Sequence, residues 1–171
     1  EEKKITTHNI ALTDKNDVIL NLNTKPKLNN KGDFRIEENV SNNINLNDAG
    51  IVTIKGETLD KIAPNLRKEN SLICMDTQGY EGVIFKGAKQ NLQKKIPILL
   101  EFSPKLMKYY NSFDNFKLLF PYYSTFFNLN DKEPVPIKLN ENTLKKLFNN
   151  LFSKSQLHGE FKIDAYTDLL I

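Results

Sequence analysis

Two short apolar runs, each ending on an acid, constrain this chain more than any other feature. Residues 71–75, Ser-Leu-Ile-Cys-Met, stop at Asp76, and residues 96–100, Ile-Pro-Ile-Leu-Leu, stop at Glu101. Apolar runs of this length predict strands buried on both faces of a parallel sheet. Between them Tyr80, Val83, Ile84, Gly87, Ala88 and Leu92 recur at helical spacing, which predicts a helix packed back on the sheet. A strand, a helix and a strand joined this tightly form a right-handed crossover between parallel strands. The expected class is α/β, with both acids on the edge where open α/β sheets bind ligands.

The flanking sequence extends this pattern. Residues 5–12 read as a strand, residues 17–23 alternate at Val18, Leu20 and Leu22 as a half-buried antiparallel strand, and residues 51–55 form another candidate. Thr58 can cap a short helix over residues 59–63 that ends near Pro64. Residues 24–50 hold seven Asn and few apolar side chains, too polar and long for an ordinary connection, and predict a mobile loop. Leu144, Leu147, Phe148, Leu151 and Phe152 form an amphipathic helical stripe, and residues 163–171 read as a last strand. With 171 residues and no internal repeat or linker, one domain over 1–171 is expected.

Composition excludes some functions. The formal charge is only +3, and 22 of the 24 cationic side chains are Lys, with Arg35 and Arg67 the exceptions. Nucleic-acid readers favour a concentrated basic field and the bidentate Arg fork, so no nucleic-acid partner is expected. No run of about 18 apolar residues exists to span a membrane, and the amino end lacks the apolar core of a signal peptide. A soluble, cytoplasmic protein is the expectation. The single cysteine, Cys74, lies in an apolar run and reads as a buried, reduced thiol.

If the two acid-ending strands are neighbours, ~4.8 Å apart, Asp76 and Glu101 can act on one substrate group or one cation. Gly79 permits a tight turn there, and Gln78 and Glu81 can point at a ligand. The competing reading is that Asp76 caps the following helix and Glu101 binds a backbone amide. His8 and His158 are further candidate bases, one within a strand and one in a polar loop.

Met75-Asp76-Thr77-Gln78-Gly79-Tyr80-Glu81, then Phe85-Lys86-Gly87-Ala88, then Ile98-Leu99-Leu100-Glu101-Phe102-Ser103-Pro104, together resemble the FkbM-type methyltransferase pattern. Upstream, Thr58-Leu59-Asp60 resembles that family's helix entry, and Asn9-Ile10-Ala11-Leu12-Thr13-Asp14 resembles its Asn-x-Ala-Leu-Ser-Asp signature. The chain departs from the pattern in carrying Cys74 where the family usually has Lys, and Gln78 where it often has Glu.

The resemblance implies an incomplete Rossmann-like class I methyltransferase sheet. Such a sheet is mostly parallel, with an antiparallel last strand, a β-hairpin insertion and helices on both faces. The cofactor implied is S-adenosylmethionine, and the activity is O-methylation of a hydroxyl on a sugar, glycan or other small molecule. It assigns Asp76 and Glu101 to catalysis, Gln78 and Glu81 to substrate, and Asn9, Ala11 and Leu12 to cofactor, with no metal. The family's glycine-rich loop and acidic second strand have no counterpart among the seven Gly, so the chain is expected to begin at the third strand of that sheet. An alternative of another class is a non-catalytic interaction module that presents Tyr109, Tyr110, Phe113, Tyr122, Tyr123 and Phe126 to a partner.

Overall fold

A computed structural model describes residues 5–25, 34–37, 50–156 and 165–171. Most of the expected loop over 24–50, together with His158 and the first residues of the expected last strand, lies outside the described residues.

Among the described residues nine strands fall into two sheets. The first has the order β1 (Ala11–Leu12), β4 (Ile51–Glu57), β2 (Val18–Asn23), β3 (Arg35–Ile36), and the second the order β5 (Ile73–Met75), β6 (Ile98–Phe102), β9 (Thr167–Leu170), β7 (Thr125–Asn128), β8 (Ile137–Lys138). In the first sheet β1 runs parallel to β4, while β2 is antiparallel to both β3 and β4. In the second only β5 and β6 pair in parallel; β9 is antiparallel to β6 and β7, and β7 to β8. The expected single, mostly parallel Rossmann-like sheet is therefore incorrect, and the class is α/β with two mixed sheets. The cause is long-range pairing: β1 is claimed by β4, 45 positions downstream at Ala11↔Gly56, rather than by the strands ending on the acids.

Helices follow from local signals. Thr58 caps α1 (Leu59–Ile62) by accepting from the Lys61 amide at 3.2 Å. The expected single helix after β5 is two, α2 (Glu81–Lys86) and α3 (Lys89–Gln93). The break lies at Gly87, where a Cβ would stand 2.2 Å from the Thr13 carbonyl oxygen, so β1's exit crosses the helix path. Asp60 then accepts from the backbone amides of Gln90 and Asn91, both at 2.9 Å, serving the donors that a helix start leaves orphaned. Pro104 opens α4 (Pro104–Tyr109), a 3₁₀ helix covers Phe113–Leu119, and α5 (Glu141–Gln156) carries the amphipathic stripe.

Among the described residues the second sheet is covered on one face only. Ile73, Met75, Ile98, Leu100, Phe102 and Leu169 join Ile84, Phe85, Phe116 and Leu144 of the helices in one core. The alternate residues Leu99, Glu101 and Leu170 are half-buried, Cys74 is exposed, and none belongs to that core. Strands buried on both faces, helices on both faces and a buried Cys74 are thus all corrected. Among the described residues β5 is an edge strand, paired with β6 alone, so its thiol meets no second layer.

Phe102 anchors the covered face, edge-on to Phe113, Phe116 and Phe148 at centroid distances of 6.2, 5.5 and 6.4 Å. Phe102→Ala is expected to lower the unfolding free energy by ~3–5 kcal/mol in denaturant titrations, because it empties a ring-sized space with little room to collapse. A loss under about 1 kcal/mol would contradict this packing.

Candidate functional site

The parallel register Met75↔Leu100 sets Asp76 beside Glu101 where β5 ends, and the antiparallel register Glu101↔Asp168 adds a third acid from β9. Side chains directly across a pairing share one face. All three carboxylates line an open cleft of about 490 Å³ on the sheet's bare face, whose apolar wall includes Cys74, Leu99 and Leu129. Asp76 is exposed, and Glu101 and Asp168 are half-buried.

Asp76 does not cap the following helix, because Tyr80 occupies that position and no side chain bonds there. One Asp76 oxygen instead accepts from the side-chain amide of Gln78 at 2.9 Å. Gln78 has φ of +55°, the left-handed region that a residue with a Cβ enters at a cost. Gly79 follows at φ +90°, and a Cβ there would come within 2.4 Å of the Leu106 carbonyl carbon. Its carbonyl accepts from the Ser112 hydroxyl at 2.6 Å, which ties the turn to the 3₁₀ segment.

Glu81 points inward and is fully buried. Its Oε1 accepts from the Thr77 amide at 3.0 Å, the Thr77 hydroxyl at 2.9 Å and the Gly79 amide at 3.4 Å. Burial pushes its carboxyl above the ordinary range despite those donors.

Of the seven residues singled out from sequence, the structure brings Asp76 and Glu101 into one cleft, adds Gln78 through its hydrogen bond, and sets Glu81 beneath the turn. It does not bring Asn9, Ala11 or Leu12 to the cleft lining. Ala11 and Leu12 form β1 of the other sheet, and Asn9 is exposed ahead of it. Just past β1 the Thr13 hydroxyl lies 3.3 Å from that of Tyr80, and Asp14 pairs with Lys86 at 2.9 Å. His8 is exposed. Among the described residues no cluster of His, Cys, Asp and Glu is arranged to hold a metal ion.

Sequence reasoning missed Asp168. Its signal was the Thr-Asp-Leu-Leu pattern of β9, in which Asp168 faces opposite to the buried Thr167 and Leu169. The aromatic surface expected for a partner is largely interior: Tyr110 and Phe126 are buried, Phe113, Tyr122 and Tyr123 half-buried, and only Tyr109 is exposed. Tyr110 and Tyr123 donate to the carbonyls of Ile36 and Ile96, and burial pushes the Tyr123 phenol up to about 12.

A second charged group lies on the first sheet. Glu57 is buried and bonded to Lys55 at 2.7 Å and Lys61 at 2.9 Å, and both lysines also reach Asp17 at 3.0 Å. Lys55 and Lys61 hold Asp17 down to about 2. This network braces β2, β4 and α1 and has a structural role.

No helix among the described residues is long and apolar enough to cross a membrane. No protein-family model, curated protein or solved structure matches the chain.

The raised Glu81 carboxyl sets a pH dependence whose sign is fixed. Above the unfolded value of 4.5 the unfolded chain loses this proton first, so the folded state binds more protons and stability falls as pH rises toward the folded value. The stability difference between the native protein and Glu81→Gln is therefore expected to shift against the native protein across that window and then level off. Urea titrations at stepped pH measure it, and a pH-independent difference would contradict the burial.

Proposed function

We propose that this chain forms the acceptor side of an S-adenosylmethionine-dependent methyltransferase that methylates a hydroxyl on a sugar or other small molecule. The observation that carries this reading is the meeting of Asp76, just past the end of β5, and Glu101, within the neighbouring β6, in one open cleft. The ordered resemblance of residues 75–104 to FkbM-type sequences supports it independently.

The donor, when bound, supplies an electrophilic methyl group on a sulfonium. Three carboxylates suit that positive charge. The two glycines nearest the cleft are packed against protein and form no open backbone cradle for the adenosyl part: a Cβ on Gly79 would meet Leu106, and one on Gly82, in α2, would stand 2.0 Å from the Ser112 carbonyl oxygen. The roles assigned below are therefore confined to the acceptor side.

There, Asp76 accepts the hydroxyl proton while the Gln78 amide fixes its other rotamers out of use. Glu101, across the strand pairing, orients the acceptor oxygen. Asp168 keeps the cleft floor acidic and turns anionic acceptors away. Alignment and proton removal are what such a displacement asks of a protein, and placed acid–base groups typically contribute ~10²- to 10⁴-fold.

In the intact enzyme, Asp76→Asn is expected to reduce methyl transfer by ~10²- to 10⁴-fold with little loss of stability, as measured by product formation and thermal melting. Wild-type turnover in this folded variant would remove Asp76 from the chemistry. Calorimetry on residues 1–171 alone is expected to find donor binding weaker than micromolar, and tighter binding would mean that the adenosyl site lies within this chain.

A further inference from the structure

Glu81 is a buried carboxylate that the acceptor chemistry leaves unused. Glu57, the other buried carboxylate among the described residues, is neutralised by two lysines. Glu81 has no such partner: its Oε1 gathers three donors from the turn, and its Oε2 is buried without a hydrogen-bond partner. An apolar side chain of similar volume would avoid that orphaned oxygen, so packing alone does not account for a carboxylate here.

The three bonds fall on Thr77 and Gly79, the two neighbours of Gln78. Gln78 is the strained residue, at φ +55°, and it is also the one whose side chain holds Asp76. A left-handed non-glycine residue persists where its surroundings over-determine it. Glu81 pins one side from below, and Leu106 and Ser112 press Gly79 from the other.

We propose that Glu81 is the positioning residue of the acidic cleft: by clasping Thr77 and Gly79 it keeps Gln78 left-handed, so that the Gln78 amide holds the Asp76 carboxylate in place beside Glu101. Its effect on turnover rests on the acceptor role of Asp76, but its effect on the turn does not. Glu81 touches no substrate and acts through Gln78.

The test compares Glu81→Gln, which keeps an acceptor oxygen for the clasp, with Glu81→Leu, which keeps none, in the intact protein. The first readout is the side-chain amide signal of Gln78 in nitrogen–proton NMR spectra, assigned by its disappearance in Gln78→Ser. Glu81→Leu is expected to move that signal to the free-amide position while the signals of β6 and α5 stay in place, and Glu81→Gln is expected to restore it largely. The second readout is turnover, with kcat at least tenfold lower in Glu81→Leu, KM for the donor unchanged and partial recovery in Glu81→Gln. An unmoved Gln78 signal in folded Glu81→Leu overturns the proposal. If Glu81→Leu does not fold, Thr77→Val removes the hydroxyl part of the clasp and must shift the same signal in the same direction; no shift overturns the proposal. If the Gln78 signal moves but Asp76→Asn retains full turnover, the positioning role stands and the acceptor assignment falls.

Discussion

The pairing of β5 with β6 is the constraint on which the site depends. Three register pairs, Ile73↔Ile98, Cys74↔Leu99 and Met75↔Leu100, run to the end of β5, and one position further Asp76 comes beside Glu101, which lies within β6. A slip of one residue would send Asp76 into the core and bring Met75 out to solvent, because side chains alternate faces along a strand. The core side enforces the register: Met75, Leu100 and Leu169 are each buried in the row beneath the acids, so the carboxylates on the opposite face are held by apolar packing they do not join.

The same pairing explains the asymmetry of the second sheet. Helices α2 to α5 and the 3₁₀ segment all bury their apolar sides with one face, through contacts such as Phe85 on Phe116 at 5.1 Å and Phe113 on Phe148 at 4.4 Å. The other face keeps an apolar row, Cys74, Leu99, Leu170 and Phe127, linked strand to strand by the registers. The acids form the next row, so the cleft has an apolar wall and a charged rim on one surface. Under the proposed function, the carbon skeleton of the acceptor would lie against the wall while its hydroxyl meets the rim.

Local signals in the sequence were legible where they were self-contained. The acid-ending runs are strands β5 and β6, the stripe from Leu144 to Phe152 is helix α5, and Thr58 caps its helix as its residue type suggests. What escaped is what depends on distant partners. Leu99 and Cys74 are apolar on the uncovered face, so continuous hydrophobicity implied burial on both sides where only one exists. Residues 81–93 kept helical spacing through Gly87, but the Thr13 carbonyl, more than 70 positions upstream, interrupts the helix there. Asp168 joins the cleft only through pairing across 67 positions, and Glu81 turned inward because Thr77 and Gly79 offered donors that solvent would otherwise have satisfied. The division into two mixed sheets is of the same kind, since no local pattern distinguishes β1 pairing with β4 from β1 pairing with β5.

The central claim is that Asp76 and Glu101 serve one chemical step on one acceptor. The measurement that tests it most directly is the proposed methyl transfer by the intact protein carrying Asp76→Asn and Glu101→Gln together, set against each single variant. Groups that act as a unit lose their effect once, so the double variant is predicted to turn over close to the rate of the slower single variant. Losses that multiply in full would mean that the two carboxylates act independently, and would contradict a shared site.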